Sequence, residues 1–235
     1  MASKLLRRSG VAVGLIAELL DWKPAEIWQV GVGIHHEEME VLRQEWNMPK
    51  EKIIGYEANY DVYRAIRDTY PGILFNKALS NYIGESTLVF SPRHSDGSTL
   101  KGLDNQMTIE QPVSVSTLDA VGETQVEPGA LLWLDCEGSE LDVLRGGHEF
   151  LKSVDVVNVE VTGHPFGTGW CKPVDVYLFL KQIGFQLQHI HTQRTTAGQF
   201  DAVFVRPHLF QLDYCCCFVE MLESKGKVFV DRSAL

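Results

Sequence analysis

The sequence is short of positive charge. It contains 21 lysine and arginine residues against 31 aspartate and glutamate residues, for a formal net charge of −10 at pH 7. Binding to DNA, RNA or an anionic membrane depends largely on basic side chains that contact phosphate groups. The charge balance therefore argues against nucleic acid and membrane as partners.

Long apolar runs are missing as well. No stretch approaches the roughly 20 apolar residues that a membrane-spanning helix needs. Residues 11–17 are apolar and follow Lys4, Arg7 and Arg8, as in a signal peptide, but Glu18 interrupts the run and no small-residue cleavage pattern follows. We predict instead that residues 1–26 form an N-terminal helical segment.

Cysteine pairs of the C-x-x-C kind are also lacking. Three of the five cysteines are consecutive at 215–217, and neither Cys136 nor Cys171 has a partner at that spacing. His189 and His191 alternate on a predicted edge strand and are interpreted as structural or surface residues. These observations favour a reduced, cytoplasmic compartment and no bound metal.

The chain does contain enough apolar residues for one ordinary domain. It has 235 residues, 45% of them hydrophobic, and predicted strands alternate with helices. We predict an α/β domain over residues 27–207, with a mostly parallel sheet, helices on both faces and a terminal antiparallel hairpin. Residues 208–235 are predicted to be an extension that packs on the domain or on a partner subunit, so a homo-oligomer is possible. The predicted strands are 27–30, 53–57, 73–79, 86–90, 113–116, 131–134, 154–161, 185–191 and 202–206.

Other segments are assigned to helices or loops. A helix is predicted over 35–46, another follows a cap at Asn59, and a short one starts at Thr117. Ser139 is expected to cap a further helix, and 174–183 is the last. Residues 91–111 are polar and are predicted to be a loop.

Three strand ends carry residues suited to a ligand: Gly31-Val32-Gly33, Glu57, and the acidic stretch from Asp135 to Gly138. In an open parallel sheet, ligands bind beyond the carboxyl ends of the strands. Glycines permit close approach of the backbone, and a carboxylate can accept hydrogen bonds from both ribose hydroxyls. A nucleoside pocket is one interpretation, and an ordinary tight turn beside a solvated acid is the other.

The third glycine of the dinucleotide-binding pattern G-x-G-x-x-G is absent. His36 occupies that position, which disfavours NAD. A nucleoside ligand without a pyrophosphate tolerates this change. A nucleotide-dependent oxidoreductase therefore remains only as an alternative.

The acidic stretch resembles a known family. "LLWLDCEGSELDVLRGG" is similar to the D-x-E-G-x-E-x-x-x-L-x-G signature of FkbM-type methyltransferases. The resemblance extends to "IWQVGVGIHHEE", "IIGYEANYDVYRAI", "LFNKALSNYIGESTLVFSP" and "VSVSTLDAV", in the order of the family, and covers roughly residues 27 to 160.

This resemblance implies a Rossmann-like class I methyltransferase with a seven-stranded sheet and S-adenosylmethionine as cofactor. Gly31 and Gly33 would then approach the methionine part and Glu57 the ribose. Gln29 stands where the family usually has an acid before the glycine loop, and a third loop position that is often glycine or polar is His35. The remaining implied cofactor contacts are Lys77, Ala78 and Leu79 near the adenine, Ser98 at the cofactor edge, and Asp135.

Transfer to a hydroxyl requires a group that takes the acceptor's proton. The candidates are Asp135, Glu137, Glu160 and His164. For Glu160 an ion pair at the strand end, and for His164 an exposed loop position, are equally simple interpretations. Glu140 is expected to bond backbone or a neighbouring helix.

The resulting prediction is an O-methyltransferase acting on a hydroxyl of a small molecule or saccharide. Besides the nucleotide-dependent oxidoreductase, a second rival is a non-catalytic binding module with the same fold, suggested by Gln29 and His35.

Overall fold

The computed structural model describes residues 17, 20–91, 94–104, 107–122, 126–163, 167–192 and 198–210. Most of the predicted N-terminal segment, and the extension beyond residue 210, lie outside the described residues. Within the described part of the chain the strands are β1 (Ile27–Val30), β2 (Ile53–Glu57), β3 (Ile73–Asn76), β4 (Ala78–Leu79), β5 (Gly84–Ser91), β6 (His94–Thr99), β7 (Ile109–Ser116), β8 (Ala130–Leu134), β9 (Val154–Thr162), β10 (Gln186–Thr192) and β11 (Gln199–Val205). The α-helices are α1 (Glu37–Glu45), α2 (Tyr60–Ile66), α3 (Leu118–Val121), α4 (Glu140–Arg145) and α5 (Pro173–Gln182).

The main sheet has seven strands in the order β10-β11-β9-β8-β1-β2-β3. Strands β3, β2, β1, β8 and β9 are parallel, whereas β11 runs antiparallel to both β9 and β10. The apolar run in β8 is buried along its whole length, as expected for a central parallel strand. The predicted seven-stranded α/β fold with its terminal hairpin is confirmed.

Helices cover both faces of this sheet. Apolar residues of α1 and α2 join one buried cluster, and those of α3, α4 and α5 join another. The helical spacing of Met39 and Leu42 in α1 explains this, because it places both on the face that meets the sheet, where each is fully buried. The predicted arrangement of helices on both sides is therefore confirmed.

A second, smaller sheet was only partly predicted. Its order is β4-β7-β5-β6, and its β4 comes from the segment 73–79, which splits after β3 instead of forming one strand. The prediction that residues 91–111 form a loop was wrong, because this segment contains β6 and the start of β7. β6 lies at an edge of this sheet, where a strand can be largely polar. Its sequence therefore lacks the apolar alternation from which a strand is predicted.

Of the two helix caps predicted at Asn59 and Ser139, the first is formed and the second is not. Asn59 Oδ1 accepts hydrogen bonds from the backbone N–H groups of Asp61 and Val62, at 3.0 and 3.3 Å, and thereby caps α2. Ser139 was wrongly predicted to cap α4, since its Oγ has no hydrogen-bond partner among the described residues. The side chain of Glu140 instead accepts hydrogen bonds from backbone N–H groups in the loop between β8 and α4.

Candidate active site

A cavity of about 200 Å³ lies beyond the carboxyl ends of β1, β2 and β8. All of the predicted cofactor-binding residues except Gln29 line it, together with Glu137. Its wall consists of Val30, Gly31, Val32, Gly33, Ile34, His35, Tyr56, Glu57, Ala58, Lys77, Ala78, Leu79, Leu88, Ser98, Leu100, Asp135, Cys136, Glu137 and Ser139. Segments that are far apart in the sequence thus converge on one space.

The glycine loop after β1 adopts a backbone that favours glycine. Gly31 and Gly33 have φ values of +78° and +66°, in the left-handed region. A Cβ on Gly31 would lie 1.7 Å from the backbone oxygen of Asp135, whereas a Cβ on Gly33 would meet no described atom within 4 Å. Gly31 therefore allows the two strand ends to approach each other, and Gly33 leaves space above the loop.

Glu57 is held rigidly at the end of β2. Its Oε2 accepts a hydrogen bond from the Gly33 N–H at 2.9 Å, and its Oε1 accepts one from the Asn59 N–H at 2.7 Å. An ionised carboxylate only accepts hydrogen bonds, which suits it to hydroxyl groups of a ligand. This buried carboxylate is thereby oriented by backbone groups on both sides.

The small sheet forms the opposite wall. Ala78 and Leu79 of β4 are buried there, and Ser98 Oγ of β6 accepts a hydrogen bond from Asn59 Nδ2 at 3.0 Å. Leu88 and Leu100 also line the cavity and were missed at the sequence level. The available signal was the apolar Leu88 in the predicted strand 86–90, whereas Leu100 fell in the segment assigned to a loop.

Gln29 lies apart from the cavity wall. It is buried in β1, and its Oε1 accepts a hydrogen bond from the Tyr70 hydroxyl at 3.0 Å. Burial raises the pKa of Tyr70 well above its usual range, so this hydroxyl remains a donor at neutral pH. The structure therefore places Gln29 in a buried polar pair beside the glycine loop.

The acidic loop after β8 is shaped by Glu140. Glu140 Oε1 accepts hydrogen bonds from the backbone N–H groups of Cys136 and Gly138, both at 3.0 Å, and Oε2 accepts one from the Cys171 thiol at 3.1 Å. Burial raises the pKa of Cys171 to about 12, which keeps this thiol protonated as a donor. These bonds agree with the structural role predicted for Glu140.

Glu137 is held in an unusual conformation by the same loop. Its φ is +46°, which is rare for a residue other than glycine. Thr99 Oγ1 donates a hydrogen bond to the Glu137 carbonyl oxygen at 2.6 Å. A strand of the small sheet therefore helps to fix the loop that carries Asp135 and Glu137.

Three carboxylates come together at this end of the sheet. One oxygen from each of Asp135, Glu137 and Glu160 lies within 4.8 Å of the other two. Burial, followed by the charges of Glu160 and Glu137, raises the pKa of Asp135 well above its usual range. The fourth catalytic candidate, His164, lies outside the described residues.

Two further acids near this group were not predicted. Asp201 of β11 lies directly opposite Glu160 of β9 in the strand register. Burial, reinforced by Asp201 and then Glu160, raises the pKa of Glu38 in α1 to about 7. Only strand pairing and helix packing bring these residues together, so no local motif reveals them.

A larger cavity, of about 500 Å³, lies between α4 and α5 and is lined in part by Trp170. It contains none of the predicted site residues. The converging strand ends therefore mark the smaller cavity as the candidate active site.

Comparison with known proteins identifies the family. The family model of the methyltransferase FkbM domain matches residues 26–187, which is more than half of the chain. The chain belongs to the FkbM methyltransferase family. The predicted family is thus confirmed, and membership of it implies S-adenosylmethionine as the cofactor. No curated protein matches the sequence.

Solved structures provide distant likenesses to this FkbM domain. The FkbM methyltransferase from Methylobacillus flagellatus KT is 13% identical with a TM-score of 0.49, and the match covers 77% of this chain and 43% of that one. M. capricolum TrmK in complex with S-adenosyl-homocysteine is 7% identical with a TM-score of 0.48, covering 83% and 67%. Aeropyrum pernix fibrillarin with S-adenosyl-L-methionine is 10% identical with a TM-score of 0.46, covering 83% and 75%. These low scores do not inform the choice of acceptor.

The length and composition of the helices show whether any of them could span a membrane. Among the described residues, none of the helices combines the length and apolar character needed to span a bilayer.

Proposed function

We propose that this FkbM-family protein transfers a methyl group from S-adenosylmethionine to a hydroxyl of a small molecule or saccharide. The observation that carries the proposal is the convergence of the glycine loop, Glu57 and the acidic loop on one cavity. A methyl donor held by the glycine loop and Glu57 would present its methyl group to the acidic loop.

The donor side fits a nucleoside in two respects. Glu57 lines the cavity and is oriented by two backbone N–H groups, and a carboxylate is a suitable acceptor for ribose hydroxyls. The space above Gly33 accommodates the part of the ligand beyond the ribose. S-adenosylmethionine, when bound, supplies an electrophilic methyl group.

The acidic side suits an acceptor that must lose a proton. Asp135 and Glu137 both line the cavity, and burial, followed by the charges of neighbouring carboxylates, raises the pKa of Asp135. A carboxylate with a raised pKa is a stronger base, and in its ionised form it accepts the proton of a hydroxyl more readily. We infer that either side chain takes this proton, with Glu160 and His164 as further candidates.

Two features distinguish this proposal from its rivals. The hydrogen bond between Gln29 and Tyr70 gives Gln29 a role within the protein, so this departure from the family pattern is no argument for a non-catalytic module. The formal charge of −10 favours a small neutral acceptor over a nucleic acid.

Calorimetric titration with S-adenosylhomocysteine tests donor binding. Glu57→Ala should weaken binding by roughly 1 to 3 kcal/mol, because it removes a buried, charged acceptor of ligand hydrogen bonds. Glu85→Ala, at an exposed position of β5, serves as the matched control and should leave the affinity unchanged. An affinity in Glu57→Ala equal to that of the wild type would mean that the ribose does not bind at Glu57.

Turnover is tested with a labelled methyl donor and a panel of hydroxylated small molecules, saccharides and transfer RNA. Label on the oxygen of a small molecule or saccharide supports the proposal. Transfer to RNA alone, or donor binding with no transfer to any acceptor, contradicts it.

A further inference from the structure

The carboxylates of Asp135, Glu137 and Glu160 have the spacing of a cation site. One oxygen from each lies within 4.8 Å of the other two, which brings all three within reach of a single ion. Two of the side chains also line the donor cavity. Hard divalent cations such as Mg²⁺ and Mn²⁺ prefer oxygen ligands of this kind.

A second observation comes from Asn158 in β9. Its side chain is 1% exposed, and neither its Nδ2 nor its Oδ1 has a hydrogen-bond partner among the described residues. Buried amides are normally satisfied, so an unsatisfied one points to a ligand or bound water.

The strand register relates this amide to the carboxylates. Asn158 and Glu160 are two positions apart in β9, so their side chains leave the same face of the sheet, one pleat apart. Asn158 pairs with Trp133, and Asp135 follows Trp133 by two residues along the chain. The unsatisfied amide therefore lies next to the carboxylate group, where its oxygen can bind an ion or a water molecule on the ion.

We propose that Asp135, Glu137 and Glu160 bind one divalent cation, with the amide of Asn158 as a direct or water-mediated ligand. Three carboxylates do not fill the coordination sphere of such an ion, and the remaining positions are available to water or to oxygen atoms of an acceptor. The binding site itself stands on geometry, and only its role toward an acceptor rests on the proposed methyl transfer.

Manganese binding tests the site without any activity assay. Full-length protein is stripped with a chelator and titrated with MnCl₂, while the electron paramagnetic resonance signal of free Mn²⁺ is recorded. We expect one saturable site per chain, from which excess Mg²⁺ displaces the bound Mn²⁺. Glu160→Gln and Asn158→Leu should each weaken Mn²⁺ binding by about 10-fold or more, as expected when a ligand or its immediate support is removed.

The control is Glu149→Gln, at an exposed acid that pairs with Lys152. It should bind Mn²⁺ as the wild type does. Absence of saturable Mn²⁺ binding to folded wild-type protein would overturn the proposal, and so would wild-type affinity in Glu160→Gln. Circular dichroism shows whether each variant is folded, and the wild-type titration decides the question even if a variant fails to fold.

Calorimetry with S-adenosylhomocysteine on the same stripped protein separates the two proposals. Donor binding without Mn²⁺ binding refutes the cation site and leaves the methyltransferase function standing. Mn²⁺ binding without donor binding refutes the proposed methyl transfer and leaves the cation site standing.

Discussion

The two sides of the cavity use carboxylates in opposite ways. On the donor side, each oxygen of Glu57 accepts a backbone N–H, so the group is held in one orientation. On the other side, Asp135 lies beside Glu137 and Glu160, and burial together with their charges raises its pKa. Under the two proposals made above, the carboxylate of Glu57 recognises hydroxyl groups, and the group around Asp135 takes up a proton or a cation.

Glu140 is a second carboxylate that protein donors hold in one orientation. It lies only three residues after Glu137, yet it resembles Glu57 because both of its oxygens accept bonds from the protein. Within one short loop, a carboxylate that shapes the backbone therefore stands next to carboxylates that face the cavity.

The largest effect is expected at Gly31, where the two sides meet. Gly31→Ala places a methyl group against the Asp135 carbonyl oxygen in a left-handed backbone, and it should destabilise the protein by roughly 3 kcal/mol or more. Gly33→Ala is the control, because its new Cβ meets no described atom, and it should cost only about 1 to 2 kcal/mol. Urea unfolding measures both. Equal losses would show that the contact between the strand ends is unimportant.

An intermediate effect is expected at Glu140. Glu140→Ala leaves the buried N–H groups of Cys136 and Gly138 without their acceptor, so we expect a loss of about 2 to 3 kcal/mol. Glu140→Gln keeps a carbonyl oxygen for these donors and should cost about 1 kcal/mol. Thermal unfolding followed by circular dichroism distinguishes them. If both variants unfold like the wild type, Glu140 does not maintain the loop.

The smallest effect is expected at Glu38, and it depends on pH. The pKa of Glu38 is raised from 4.5 to about 7 in the folded protein, so the folded state binds more protons than the unfolded state between these values. Stability should therefore fall as the pH rises through this range in the presence of a chelator. Glu38→Gln should abolish that fall and be more stable than the wild type at pH 8 by about 1 to 2 kcal/mol. Urea unfolding at pH 5 and pH 8 checks the sign, and parallel profiles for the two proteins would contradict it.

Most of the main sheet could be predicted because its signals are local. The apolar run of β8 and the acids after it indicate a central strand with a ligand site at its end, and Gly31 and Glu57 belong to neighbouring strands. The small sheet was harder to predict because β6 is polar and lies at an edge. The role of Glu140 was predicted correctly, whereas the cap at Ser139 was not formed, because residue spacing does not show whether a side chain bonds the backbone.

Contacts between residues that are far apart in the sequence could not be predicted from local sequence patterns. Glu38 and Asp201 lie at opposite ends of the chain, and only the packing of α1 and the pairing of β11 with β9 bring their charges near Glu160. Asn158 looked like an ordinary strand residue, and its unsatisfied amide becomes evident only once its neighbours are known. The part played by His164 stays a prediction.

The small sheet offers a route to altered donor selectivity. It contributes Leu88, Ser98 and Leu100 to the cavity while standing outside the parallel strands that form the body of the protein. Replacing the two leucines by smaller residues would enlarge the pocket for synthetic donors that carry bulky groups on the base, with Asp135, Glu137 and Glu160 left in place. The small sheet is therefore the natural target for engineering a variant that accepts base-modified donors, whose bulky group stays on the departing S-adenosylhomocysteine analogue while the acceptor still receives a methyl group.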